Sequence, residues 1–569
     1  MRQVLERGWT LTFTHPESGE TMTIPAQVPG NVIADLHRAG VVPDPYFGLN
    51  SAGLRIWEFV DFEYRTGFRA PETEPGERLE LVLEGADTVG EVRLNGDLLG
   101  ELDNMFIEHR FDVTGRAAAG TENRLAVLIR SAVNAARKFH RTPDTFTLAY
   151  NYEGLCLRKA GHSYGWDIAP RIVGGGLWRG VFLEQVPADR WTGVLLYTTH
   201  ASKQLAKLVL DWNFETAAER LTGFGARLVM KHGESRFEKQ FRIDFTSGRT
   251  AFEIADPHLW NVRGHGDPAL YDVTLELLHD GETVAVRRFR TGIRTVRLDR
   301  TESLSPGGAG EFRFLLNGEP VYLFGESIAS SLFPGRETVS HEKDERDITR
   351  YILSMRNAGY VILRTVHQPV MPLVLEVADE CGMMIFNEWG WCFDPMIDEA
   401  EFEKNNIPDL RDFVEATYNH PAVVMWSLGN EVPSQSPEVS RQLDLQVRTV
   451  RGMDRQRRPV STFSGAAGWR SYGTAKHDTD VLDLHHYVGI ANPWTERDDE
   501  VDGTWQGLAR IYGAEELRRK PLIAMETVGF SWGFMTPDNK NPNFRRNSPE
   551  EYRRYAESDT SWGSPRGIG

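Results

Sequence analysis

The chain has 569 residues and a mass of 64.4 kDa, enough for about three domains, because single cores stop growing near roughly 250–300 residues. Lys and Arg total 64 against 81 Asp and Glu, and a net charge of −17 argues against nucleic acid or an anionic membrane, which need clustered cations. Mean hydropathy is −0.40 and no run of 18 apolar residues occurs, which excludes a membrane-spanning helix.

From residue 1 to 187 the pattern is short alternating runs with turn signals. LELVLEG (Leu79–Gly85) and RLAVLIR (Arg124–Arg130) alternate, and Asn95-Gly96 is a two-residue hairpin signal. Several short strands without a long amphipathic helix predict a jelly-roll β-sandwich. After Pro187, residues 188–298 carry strands at the 8–12-residue spacing of an immunoglobulin-like sandwich, without its Cys–Trp–Cys signature. Thr301–Glu311, rich in Gly, Ser and Pro, is expected to be loose.

Residues 299–569 alternate strand and helix. A second hairpin signal, Asn317-Gly318, precedes a strand near Val321–Gly325. A helix is predicted over Asp344–Ala358, with Gly359 at its end. Further strands are predicted at Val361–Arg364, Met383–Glu388, Val423–Leu428, Val460–Ser464, Val481–Leu484 and Leu522–Met525. Ser436-Pro437 and Ser548-Pro549 each read as an N-cap followed by Pro at the first helical position. Alternation means parallel strands, and without a GxGxxG or phosphate loop a (β/α)8 TIM barrel leads. Seven strands are visible, so the barrel reads as incomplete at its C-terminus, the eighth strand missing.

Three cysteines (Cys156, Cys381, Cys392), an odd number with no CxxC, suit neither a disulfide framework nor zinc. The N-terminus lacks a signal-peptide apolar stretch, so a cytoplasmic location is expected. Fifteen Trp could stack on sugars, but composition alone favours large cores.

Barrel chemistry sits at the C-terminal ends of the strands. The polar residues there are Arg364, Glu388, Asn430, Glu431, Asp483, His485, His486 and Glu526. No metal-ligand spacing joins them, and adjacent His485 and His486 would face opposite sides of a strand. Two glutamates closing apolar strands are the equipment for glycoside hydrolysis, one protonated and one ionised. Strand-end carboxylates also occur in other barrels as ion-pair partners.

The run NHPAVVMWSLGNE (Asn419–Glu431) resembles the acid/base signature of glycoside hydrolase family 2. PLIAMETVGF is similar to that family's nucleophile strand, and ILRTVHQP to its Arg-bearing second strand. VPGNVIADLHRAGVVPDPYFGLN, LEGADTVGEVRLNGDLLGELDNMF and GWDIAPRIVGGGLWRGV look most like the β-mannosidase branch, and DPHLWNVRGHGDPALYDVTLEL resembles the family's immunoglobulin-like domain.

The resemblance implies Glu431 as general acid/base, Glu526 as nucleophile and Asn430 as partner of the sugar 2-hydroxyl. Arg364 would orient the nucleophile or the sugar, and Tyr487 would sit near Glu526. His485 joins the expected substrate-binding set. Trp389, Trp391 and Trp532 are candidates for stacking on the sugar or for ordinary cores. Trp166 and Asp167 are candidates for the far edge of the glycon. The chain departs from the β-mannosidase pattern at His367-Gln368, and at Glu388, which would bind a hydroxyl or pair with Arg364. The expectation is a retaining exo-β-glycosidase, β-mannosidase-like, with a carbohydrate substrate and no organic cofactor. No ligand cluster in the sequence demands a metal. Another glycon (β-galactoside, β-glucuronide, β-galacturonide or β-glucosaminide), a non-catalytic sugar-binding relative, or a scaffold built from the two sandwiches are the alternatives. An incomplete barrel would expose apolar faces and favour self-association into a homo-oligomer.

Overall fold

The structure is a computed structural model and describes residues 2–45, 47, 50–74, 76–139, 152–164, 171–304, 310–328, 341–366, 368–392, 399–432, 437–465, 478–485, 509 and 513–526. Among them, no helix is long and apolar enough to cross a membrane.

The N-terminal unit packs two antiparallel sheets face to face. One has the strand order Arg2–Val4, Val181–Val186, Arg78–Leu83, His109–Asp112. The other runs Thr21–Pro25, Thr10–Thr14, Phe62–Arg69, Glu122–Ile129, Gly90–Leu94, Asp97–Leu102. Alternation along Glu122–Ile129 sends Leu125, Val127 and Ile129 into the shared core, where they join Leu81 and Leu83 of the facing sheet. The hairpin at Asn95-Gly96 forms as its sequence requires: φ is 54° and 98°, and Leu94 pairs with Asp97.

The second unit is a smaller sandwich of three and four antiparallel strands between Arg190 and Thr291, closed over Leu208, Leu210, Leu228 and Leu275. The expected loose stretch is narrower than composition suggested. Val296–Leu304 pairs with Gly310–Leu316, and Leu298, Phe314 and Leu316 turn to the core on either side of the tip. Residues 305–309 of that tip lie outside the described residues.

Among the described residues seven barrel strands follow: β1 (Gly325–Ile328), β2 (Ile362–Thr365), β3 (Met384–Cys392), β4 (Val423–Asn430), β5 (Val460–Ser461), β6 (Leu482–His485) and β7 (Leu522–Glu526), each paired parallel to a neighbour. The first strand begins at Gly325, where the sequence placed it ending. Strands β1 to β5 form one sheet in sequence order, and β6 pairs with β7. Every residue of β4 is buried, as expected of a strand covered on both faces. Helices α1 (His341–Ala358), α2 (Pro372–Cys381), α3 (Glu399–Thr417), α4 (Pro437–Met453) and α5 (Ala514–Arg519) connect the strands. Helix α4 starts at Pro437 as predicted, while Ser548-Pro549 lies outside the described residues.

No backbone ladder joins β5 to β6 among the described residues. Loop and side-chain bonds cross that seam instead: Val460 N–H donates to Asp480 Oδ2 (3.0 Å), and Thr462 N–H to the Thr479 hydroxyl (3.2 Å). On the other side, the Ser327 hydroxyl of β1 donates to the Met525 carbonyl of β7 (3.3 Å).

The small sandwich is anchored at the start of β4. Asn419 donates to Val194 O (2.8 Å) and accepts from Leu196 N–H (2.9 Å). Arg294 donates to Pro421 O and Val423 O at 2.9 and 2.7 Å. Burial, with Arg458 close by, lowers the Arg294 pKa to about 9. His420 pairs with Asp379 (2.6 Å), which also accepts Ala422 N–H.

Candidate active site

Seven predicted site residues are described, and six of them, Arg364, Glu388, Asn430, Glu431, His485 and Glu526, meet at the barrel mouth. Arg364, on β2, is buried and donates in three directions. Its Nε and Nη2 hold the Glu388 carboxylate (3.0 and 2.9 Å), Nη1 reaches Glu526 Oε1 (2.7 Å), and Nη2 reaches Asn430 Oδ1 (2.6 Å). A guanidinium only donates, so the Asn430 atom facing it is the oxygen. Burial opposes the Arg364 charge, but Glu388, Glu526 and Asp483 outweigh it and hold the group protonated.

Of the two uses foreseen for Glu388, the structure shows the ion pair. Its side chain is 0% exposed. The Ser427 hydroxyl donates to it (2.8 Å), and its own N–H is held by Thr365 Oγ (2.7 Å). Thus β2, β3, β4 and β7 are cross-tied by a single Arg.

Glu431 follows β4 with φ of 47°, a left-handed backbone uncommon outside glycine and concentrated at functional sites. Its N–H is secured by Ser464 O (2.7 Å). Its Oε1 lies 2.9 Å from His485 Nδ1, and that nitrogen is 3.6 Å from Glu526 Oε2. Burial would lower the His485 pKa, but Glu526, Glu431 and Asp483 lift it to about 9.

Behind His485 stands a chain that strand-end reading did not assemble. His485 Nε2 is 2.6 Å from Ser464 Oγ, whose hydroxyl donates to Asp483 Oδ2. Asp483 also accepts Gly465 N–H and Met525 N–H, both at 3.0 Å. Ser464 lies just past β5, and its signal was its place at the end of a predicted strand.

Donor atoms of Glu431, His485 and Glu526 lie within 4.8 Å of one another. A chelating trio would look similar. The 2.9 Å Nδ1–Oε1 contact has the length of a hydrogen bond.

Trp389 takes the core alternative, buried in the barrel's apolar cluster. Its indole is 1% exposed and docks the N-terminal sandwich onto the barrel. The Arg158 guanidinium lies 4.9 Å from its ring and donates to its carbonyl (2.9 Å), and its N–H goes to Asp409 (2.6 Å). Asn104 and Arg158 both donate to Asp409 as well. A strand-end Trp looks the same in sequence whether its ring faces a sugar or a domain joint. Gln368, one of the departures noted above, serves the same joint through His162 (3.1 Å). Trp166, Asp167, His367, His486, Tyr487, Trp532 and the side chain of Trp391 lie outside the described residues.

Two sandwiches leading into a barrel whose mouth gathers two glutamates, an Arg and an Asn define a glycosidase-type architecture. Residues 9–179 match the glycosyl hydrolase 2 galactose-binding domain-like family, 197–294 match glycosyl hydrolases family 2, and 312–528 match that family's TIM barrel domain. The chain belongs to glycoside hydrolase family 2. It is 26% identical over 455 residues to beta-mannosidase B of Emericella nidulans, covering 76% of this chain and 51% of the relative. To beta-mannosidase B of Aspergillus clavatus it is 29% identical over 451 residues, 75% of this chain and 50% of the relative. The chain thus spans about half the length of these curated relatives. The beta-D-mannosidase of Dictyoglomus thermophilum shares the fold with a TM-score of 0.75 at 21% identity, over 100% of this chain and 70% of that one. A β-glucuronidase of Ruminococcus gnavus does so with a TM-score of 0.64 at 20% identity, over 98% and 89%.

Proposed function

We propose that the protein is a retaining exo-β-glycosidase that removes terminal β-mannosyl residues. The observation that carries the mechanism is the spacing of Glu431 and Glu526, whose nearest oxygens lie within 4.8 Å. Retaining enzymes place their carboxyl groups about 5–5.5 Å apart, whereas inverting ones leave roughly 6.5–9.5 Å for a water.

In this reading ionised Glu526 attacks the anomeric carbon while Glu431 protonates the departing oxygen. The C–O bond to the aglycone breaks and a glycosyl ester on Glu526 forms. Glu431, now a carboxylate, takes a proton from water, which hydrolyses the ester and restores both groups. Arg364 aims Glu526 through Oε1. By holding the Asn430 oxygen, it turns the Asn430 amide N–H2 toward the sugar 2-hydroxyl. The choice of mannose is supported by the names of the curated relatives.

The test is a panel of p-nitrophenyl β-glycosides: mannoside, galactoside, glucoside, glucuronide, galacturonide and N-acetylglucosaminide. The mannoside should be cleaved fastest, with retained anomeric configuration by NMR. A faster rate on another glycon would replace the substrate, and an inverted product would sink the mechanism. Glu431→Ala should lose roughly 10²–10⁴-fold on substrates with poor leaving groups and far less on activated ones.

Gly465 gives a second check. Its φ is 82°, and a Cβ there would lie 2.7 Å from His485 Nδ1 and 2.8 Å from Glu431 Cγ. Gly465→Ala should therefore displace both side chains and lower kcat by roughly 10²-fold, since a misplacement near 1 Å costs that much. An unchanged kcat in a folded variant would contradict the placement of Glu431 against His485.

A further inference from the structure

The Asp483–Ser464–His485–Glu431 chain can be read as a proton inventory. Asp483 accepts two backbone N–H groups and the Ser464 hydroxyl, a set that suits a carboxylate. Burial holds its pKa above the usual carboxylate value against the opposing pull of His485 and Arg364. A serine has one hydrogen to give. Given to Asp483, it leaves only a lone pair toward His485, so Nε2 must carry a hydrogen to make the 2.6 Å contact. Nδ1 then faces Glu431 Oε1 across 2.9 Å with one proton between them. That proton sits on the imidazole when Glu431 is a carboxylate and on Glu431 when the imidazole is neutral.

We propose that Asp483 and Ser464 are positioning residues that fix the tautomer of His485, so that Nδ1 shares the catalytic proton with Glu431. The proposal rests on the reading of Glu431 as acid/base. It also explains why the arrangement straddles the seam between β5 and β6. Asp483 lies on β6, Ser464 and Gly465 just past β5, and Met525 beside the nucleophile on β7. One carboxylate thereby registers the backbone beneath Glu431 against the strand that carries Glu526.

The charged groups that face His485 among the described residues are Glu431 past β4, Asp483 on its own strand and Glu526 on β7, with Arg364 on β2 reaching it through Glu526. Three carboxylates around one imidazole favour its protonated form. The shared proton is held below about pH 9 and lost as pH rises through that value. Removing the Ser464 hydroxyl withdraws the acceptor of Nε2–H, so the cation loses a partner and the proton leaves at lower pH.

The direct test is nitrogen NMR of the full chain labelled with 15N-histidine, with His485 assigned by its loss in His485→Gln. Expected is a proton-bearing Nε2 from pH 6 to 10 in the wild type, with only Nδ1 titrating. In Ser464→Ala the two nitrogens should titrate without that distinction, and Ser464→Thr should restore it. An unprotonated Nε2 in the wild type would overturn the proposal.

Kinetics supply the second arm. With a poor leaving group, Ser464→Ala should lower kcat roughly tenfold, leave KM in place and move the alkaline limb of the pH profile down by about one unit. With a dinitrophenyl glycoside it should act within about twofold of wild type. Equal losses on both substrates with an unmoved pH profile would mean a structural role only and would overturn it. Glu431→Ala separates the two levels: if that variant shows no leaving-group dependence, the acid/base reading itself fails, independently of the tautomer seen by NMR.

Discussion

Glu526→Gln should leave a folded protein whose turnover falls by roughly 10³-fold or more. An amide is nearly isosteric with the carboxyl group, but it cannot form and release a glycosyl ester. The fold should survive because the Gln oxygen still accepts from Arg364 Nη1, the bond that Glu526 Oε1 makes at 2.7 Å. Arg364 also keeps its two-pronged contact with Glu388, so the guanidinium is not left without a counter-charge. Steady-state rates on the best p-nitrophenyl glycoside, beside thermal melting, check both halves. A variant that keeps wild-type turnover would remove Glu526 from the chemistry.

Arg364→Met is expected to be the most destabilising single change at the site. It takes the guanidinium away from the Glu388 carboxylate, which is 0% exposed and also accepts from the Ser427 hydroxyl. It also strips donors from Asn430 and Glu526. Breaking one side of a buried pair costs about 3–5 kcal/mol, because the surviving charge is stranded. Adding Glu388→Gln to Arg364→Met should recover a large part of that loss, since the stranded charge is gone. Denaturant unfolding of the two single variants and the double variant gives the coupling directly. A loss below about 1 kcal/mol for Arg364→Met would mean that the cluster is open to water and the ion pair is weak.

The sequence carries the strands well and the networks poorly. Period-two runs such as Arg124–Arg130, and the two Asn-Gly turns, specify local geometry by themselves: the first turn forms in the N-terminal sandwich and the second in the strand pair leading into the barrel. Barrel strands ended within a few residues of prediction, so the strand-end residues Arg364, Glu388, Asn430, Glu431, His485 and Glu526 were all visible. What linear reading lacked was direction across the barrel. The predicted strand Val460–Ser464 ended on Ser464, but nothing in the linear sequence set that hydroxyl behind His485. Trp389 has the same sequence signature as a sugar platform, and its ring is claimed by Arg158 from 231 residues away. Thr301–Glu311 misled because loop-like composition at a hairpin tip outweighed the alternation on its flanks.

The stretch from Asn419 to Glu431 has duties at both ends. Asn419 grips the small sandwich, His420 and Ala422 grip Asp379, eight buried residues of β4 follow, and then the backbone turns left-handed at Glu431. Both ends are pinned, so the length between them is a fixed ruler. A residue gained or lost within it would turn every following side chain to the opposite face. Either the sandwich or the carboxylate would then lose its seat. Substitutions can accumulate along this segment during divergence, whereas insertions and deletions are barred. Changes in loop length that reshape the mouth must arise elsewhere.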